Sequence, residues 1–66
     1  MIKLTQINGD EITVNAELIE TMERSHDTII TLTTTRRIRV QESIEEIIDR
    51  VVAYKRRILQ PEIQKE

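Results

Sequence analysis

Cysteine is absent from this chain, and glycine, proline, histidine and tyrosine occur once each, with no tryptophan or phenylalanine. Without cysteine there can be no disulfide, no thiolate nucleophile and no cysteine-type zinc site. The absence also suits a reducing cytoplasm, where the chain is expected to reside. A single histidine, His26, cannot build a histidine-rich metal site. Tyr54, as the sole aromatic, leaves a sheet no platform for stacking bases. No apolar run approaches the roughly 18 to 20 residues that span a bilayer, so insertion is not expected and any membrane association would be peripheral, through a partner. The opening stretch MIKLTQINGDEI alternates and lacks the apolar centre of a signal peptide. Neither sign of charge dominates. Ten basic side chains face twelve acidic ones, a formal net of −2, which is no footprint for non-specific phosphate binding.

What remains is short. Sixty-six residues allow one domain, expected over residues 1–60, with 61–66 as a flexible tail after Pro61 stops the last helix. A chain of this length buries only about 60% of the surface its unfolded form exposes. Domains so small usually gain support from disulfides, a metal or a second subunit. With cysteine absent and histidine scarce, self-association is the expected support.

The apolar pattern predicts an α+β fold, a small antiparallel β-meander of four to five strands packed with one C-terminal helix. In MIKLTQINGDEITVN, Ile2 and Leu4 alternate, as do Ile12 and Val14. A two-residue Asn8-Gly9 turn would put these pairs on opposite faces, because one residue of slip flips every side chain. A three-residue loop, Ile7-Asn8-Gly9, pairs Leu4 with Ile12 and Ile2 with Val14, and gives Gly9 the left-handed position. The stretch 15–23 favours a brief turn at 15–17 followed by a strand, and a short helix capped by Asn15 remains open. In TIITLTTTRRIRVQ, Ile30, Leu32, Ile38 and Val40 face inward. An odd loop, Thr34-Thr35-Arg36, keeps them together at a strain of about 1 kcal/mol, because no glycine is available there. The helix is the clearest element. Ser43 and Glu46 form a capping box, Ile44, Ile47, Ile48, Val51, Val52, Ile58 and Leu59 form a helical stripe, and acids lead while bases follow.

Candidates for chemistry are few. Arg37 and Arg39 point away from Ile38 and Val40, as solvated strand residues do, and Arg36 falls in the loop. Together they are the one patch that could take nucleic acid, although Glu42, Glu45, Glu46 and Asp49 would oppose a phosphate. The same acids lack the spacing of a calcium loop and read as a solvated helix start. His26-Asp27 reads as an exposed turn. No catalytic residue, cofactor or metal is expected, and the chain reads as a non-enzyme. The helix stripe is wider than a small sheet needs, and strict alternation places Ile19 and Ile29 opposite their inward neighbours. These apolar residues, with Tyr54 and Ile58, mark a partner or self-association surface, alongside Arg36, Arg37 and Arg39.

Taken in order, MIKLTQING, NAELIETME, DTIITLTTTRRIRVQES and a closing helix resemble the FlbD family of small flagellar proteins, the SwrD-like swarming group. The likeness covers roughly Met1 to Tyr54 and rests on Leu4-Thr5, Asn8-Gly9, Asn15 with Leu18-Ile19-Glu20, Asp27-Thr28 with Ile30-Thr31-Leu32, and Val40 with Glu42-Ser43. Two loops depart from the family pattern. His26 stands where proline is usual, and Thr34-Thr35 where an Asn-Gly-like turn is usual. The resemblance implies a cytoplasmic, non-enzymatic accessory of the bacterial flagellum that supports motor power for swarming through protein–protein interaction, with a flagellar motor or stator protein as partner. The competing expectation is a small nucleic-acid-binding regulator using Arg36, Arg37 and Arg39, since ITLTTTRRIRVQESIEEI is loosely similar to the LytTR DNA-binding domain.

Overall fold

The computed structural model describes residues 1–59. The expected tail at 61–66, and the helix stop at Pro61, lie outside them.

Strands β1 (Ile2–Thr5) and β2 (Glu11–Val14) pair antiparallel with Leu4 opposite Ile12 and Ile2 opposite Val14, the register the apolar pattern demands. The loop is Ile7-Asn8-Gly9. The Gly9 N–H donates to the Gln6 carbonyl at 2.9 Å, and the Gln6 N–H donates to the Asp10 carbonyl at 2.8 Å. Gly9 sits at φ 96°, where a side chain would be strained.

A single turn of 3-10 helix, Ala16–Leu18, follows and is capped by the Asn15 side chain, which accepts from the Glu17 N–H at 3.0 Å. It delivers the chain into β3 (Ile19–Arg24), so 15–23 is a brief turn followed by a strand, and the turn itself is the short helical one capped by Asn15, though it ends before Ile19 and Met22. The strand carries a register shift between Ile19 and Thr21, leaving Glu20 as an extra residue. That bulge corrects the expectation for Ile19. Strict alternation puts it on the outer face, but one added residue turns it inward, where it pairs with Leu32 and packs against the core.

Strands β4 (Thr28–Leu32) and β5 (Arg37–Val40) complete a three-stranded sheet of order β3-β4-β5. Their loop has odd length, as expected, but it is Thr33-Thr34-Thr35 rather than Thr34-Thr35-Arg36. Leu32 N–H donates to the Arg36 carbonyl and Thr35 N–H to the Leu32 carbonyl, each at 2.8 Å. Both loops keep the same side chains inward, so periodicity alone could not choose between them. The observed one sets Ile30 opposite Ile38, with Met22 on its other side in β3. Thr35 consequently takes φ 71°, the place Gly9 fills in the first hairpin, and a β-branched residue there is strained by about 1–2 kcal/mol. Thr35→Gly is therefore expected to raise the unfolding free energy by about 1 kcal/mol in urea titration, while Gly9→Ala lowers it by a similar amount.

The two sheets meet at one place. A bridge joins Gln6 to Val40, and the Gln41 N–H donates to the Thr5 carbonyl at 2.8 Å. The fold is α+β, with the meander divided into a two-stranded and a three-stranded sheet because the capped turn at 15–18 separates β2 from β3. Ile2, Leu4, Val14, Ala16, Ile30, Leu32, Ile38, Val40 and Ile47 form one buried cluster. Helix α1 (Ile44–Leu59) lies against β1 and β3 and so spans the junction. Its start is the capping box foreseen above: Glu46 N–H donates to Ser43 Oγ at 3.1 Å, and Ser43 N–H to Glu46 Oε1 at 2.8 Å. Ile47 alone in the helix is fully buried, and Val51 and Tyr54 pack partly against the core.

Candidate interaction surface

The arginine-rich stretch is not a free cationic patch. Arg37 and Arg39 share the outer face of the three-stranded sheet, where Arg37 Nη2 lies 3.6 Å from Glu23 Oε2 and Arg39 Nη1 lies 3.5 Å from Asp27 Oδ2. All four side chains are well exposed, so each pair contributes about 0–1 kcal/mol. Arg36 is exposed at the entry to β5 rather than in the loop. Ile29, expected to offer an apolar contact on this face, is only 6% exposed. Its cross-strand neighbours are Glu23 and Arg39, whose aliphatic stems can cover it while their charged ends stay in water. Of the residues singled out from the sequence, Arg37, Arg39 and Ile29 therefore share one face, and Ile19 and Tyr54 are drawn into the core. Ile58 stands apart, 51% exposed near the end of α1.

A second location was not legible from the sequence. Between β1 and α1 runs an open cleft of about 490 Å³, lined among others by Lys3, Leu4, Glu42, Arg50, Tyr54 and Arg57. A smaller hollow of about 430 Å³ continues it between Met1, Tyr54, Arg57 and Ile58. The cleft exists because β5 ends before it can pair along the whole of β1. Beyond the Gln6–Val40 bridge, the free backbone groups of β1 are met by side chains instead of a strand. The Thr5 N–H donates to both carboxylate oxygens of Glu42, at 2.9 and 3.0 Å, and Arg50 Nη1 donates to the Lys3 carbonyl at 2.5 Å. The same Nη1 lies 3.3 Å from Glu42 Oε2.

Glu42 was expected to be part of a solvated acidic helix start. It is instead 8% exposed, held 37 positions along the chain from Thr5. Burial taken alone pushes its carboxyl up and is the largest single influence. The backbone N–H groups of Thr5 and Glu42 and the nearby Arg50 guanidinium together outweigh it, and the group is held below its ordinary value of 4.5. Glu42 is thus a charged clasp between β1 and the start of α1. No local signal in the sequence separates it from Glu45 and Glu46, because its partner is remote.

The chemistry of the cleft is that of a contact surface. Its sides are apolar at Leu4, Ala53 and Tyr54. Three cations, Lys3, Arg50 and Arg57, outnumber two carboxylates, Glu11 and Glu42. Arg50 already neutralises Glu42, which leaves Lys3, Arg57 and Glu11 as the available charges beside an apolar wall. Among the described residues there is no cluster of three or more potential metal ligands, and no helix is long and apolar enough to cross a membrane.

No curated protein and no solved structure matches the chain. A family model described as FlbD, flagellar and swarming motility proteins, matches residues 1–59, the whole of the two hairpin sheets and the helix that spans them. With that ordered set of elements matched from end to end, the chain belongs to the FlbD family of flagellar and swarming motility proteins.

Proposed function

We propose that this FlbD-family chain is a non-enzymatic, cytoplasmic accessory of the flagellum that supports motor output during swarming by binding a motor or stator component. The observation that carries the reading is the family match across residues 1–59. The cleft between β1 and α1 supports it as a surface suited to protein contact. Tyr54, Ile58 and Met1 offer apolar contact, and Arg57 and Lys3 offer charge at the rim. A segment that suits this surface is an apolar stretch flanked by acids, since aromatic and arginine side chains at the edge of a groove are the usual anchors of protein contacts. Arg37 and Arg39, paired with Glu23 and Asp27, give no separate support to nucleic-acid binding.

The test is recovery of the tagged chain from swarming cells after brief cross-linking. A motor or stator component is expected among the recovered proteins, in proportion to the tagged chain. Recovery of flagellar filament proteins alone, or of nucleic acid alone, would contradict the reading.

A further inference from the structure

Helix α1 has a second apolar line that the fold does not use. Ile48, Val52, Lys55 and Leu59 follow one another at intervals of four, three and four residues, the spacing of a helix–helix seam. Ile48, Val52 and Leu59 are all exposed, at 45%, 42% and 75%. Beside this line, Ala16, Ile19, Met22 and Val51 wall an apolar groove of about 220 Å³ between α1 and β3. On its other flank stand Asp49 and Arg56, two helical turns apart, and neither has a salt-bridge partner among the described residues.

We propose that a second copy of this chain covers that line, with the two α1 helices antiparallel about a twofold axis passing between Val52 and Lys55. The spacing selects this arrangement. Antiparallel alignment sets Ile48 against the other copy's Leu59, and Val52 against the stem of its Lys55. The Lys55 amine meanwhile stays near Glu17, 3.9 Å away. The same alignment brings Asp49 of each copy beside Arg56 of the other, twice over by symmetry. A parallel pair would put the two copies' Asp49–Arg56 flanks on opposite sides of the seam, where neither charge meets its complement. Charge therefore chooses the orientation, and the opposed helix dipoles agree with it. The occupant is self-complementary in a way a chance partner would not be. It also supplies the support that a sixty-six-residue chain without disulfides needs. The dimer uses the side of the helix turned away from Tyr54 and Arg57, so it stands independently of the flagellar reading.

Sedimentation equilibrium of the full chain over a dilution series tests it. A monomer–dimer equilibrium is expected. Asp49→Arg should raise the dissociation constant by about tenfold or more, because it creates two repulsive contacts per dimer. Asp49→Arg with Arg56→Asp should return it to within about threefold of the parent value. The chain contains no cysteine, so single-cysteine variants report orientation without background. Mixed Ile48→Cys and Leu59→Cys chains are expected to form a disulfide, whereas Ile48→Cys alone does not, its two copies lying about 16 Å apart along the axis. A chain that stays monomeric at millimolar concentration, a dimer indifferent to Asp49→Arg, or a disulfide formed by Ile48→Cys alone would each overturn the proposal. Circular dichroism of each variant, taken dilute, confirms that the monomer fold is kept, since all the altered side chains are exposed.

Discussion

Replacing Ile47 with alanine is expected to remove about 2–5 kcal/mol of stability, while the same change at the adjacent Ile48, measured in dilute solution, costs about 0.5 kcal/mol or less. Ile47 is the only helix residue with no exposed surface, and it enters the cluster formed by Leu4, Ile30 and Val40. Removing three of its carbons takes away their transfer free energy and leaves a cavity in the cluster that both sheets share, which the backbone ties between them, Gln6 to Val40 and Gln41 to Thr5, keep from closing. A domain of this length has a total stability on the order of 3–10 kcal/mol, so the loss is comparable with the whole. The helix should detach or the chain should unfold. Tyr54, the sole aromatic, reports helix docking through its emission, and far-ultraviolet circular dichroism reports the sheets. In urea both signals should move together in the parent chain. In Ile47→Ala both midpoints should fall sharply. If Ile47→Ala and Ile48→Ala prove equally mild, the helix is not held by this contact.

The reason such a contrast can be drawn between neighbours is that much of the fold was legible. The register of β1 and β2 follows from the spacing of Ile2, Leu4, Ile12 and Val14 around one glycine. The helix start follows from Ser43 and Glu46, and the inner faces of β4 and β5 from alternation. Each of these signals is local, a matter of neighbours within a turn or a strand. What was not legible depends on groups far apart in sequence. The bulge at Glu20 reverses the side on which Ile19 falls, and nothing near it in the chain announces an extra residue. The left-handed position in the second hairpin goes to Thr35, although Arg36 would have kept the same faces inward. Ile29 is buried on the outer face, where its cross-strand neighbours are Glu23 and Arg39 on two other strands. The candidate site was half legible. Tyr54 and Ile58 were picked out as apolar residues in excess of what the sheet needs, but β1 as the opposite wall of their cleft required the tertiary structure.

Glu42 accounts for the second large effect. Its carboxylate takes both the Thr5 N–H and a contact from Arg50, and does the work of a missing strand along the end of β1. Glu42→Ala leaves the Thr5 N–H without its acceptor in a half-covered place, at about 1–3 kcal/mol. Arg50 is 44% exposed on its side chain and can return to water, so the larger penalty of an unpaired buried charge does not apply. A fall in stability of about 2 kcal/mol is expected.

The pH dependence has a definite sign. The folded-state value of Glu42 lies below its ordinary 4.5. Its contribution is therefore fully present above the unfolded value and is lost as pH falls through the folded value. The parent chain should lose stability on acidification from pH 4.5 downward, and Glu42→Gln should flatten that limb while lowering stability at neutral pH. Urea midpoints taken every half unit of pH for the two chains give the comparison. Parallel curves would show that some other carboxylate carries the acid sensitivity.

The two exposed sides of α1 are separable. One, through Ile48 and Leu59, is proposed to bind a second copy of the chain, and the other, through Tyr54, Arg57 and Ile58, is proposed to bind a flagellar partner. The decisive measurement is cross-linked recovery of the motor or stator component from swarming cells by three chains side by side: the parent, Ile58→Glu and Ile48→Glu. Ile58→Glu is expected to lose about nine-tenths or more of the recovered partner, with its melting temperature kept within a few degrees because the residue is half exposed. Recovery by Ile58→Glu equal to that of the parent chain would contradict the placement of the partner in the cleft between β1 and α1.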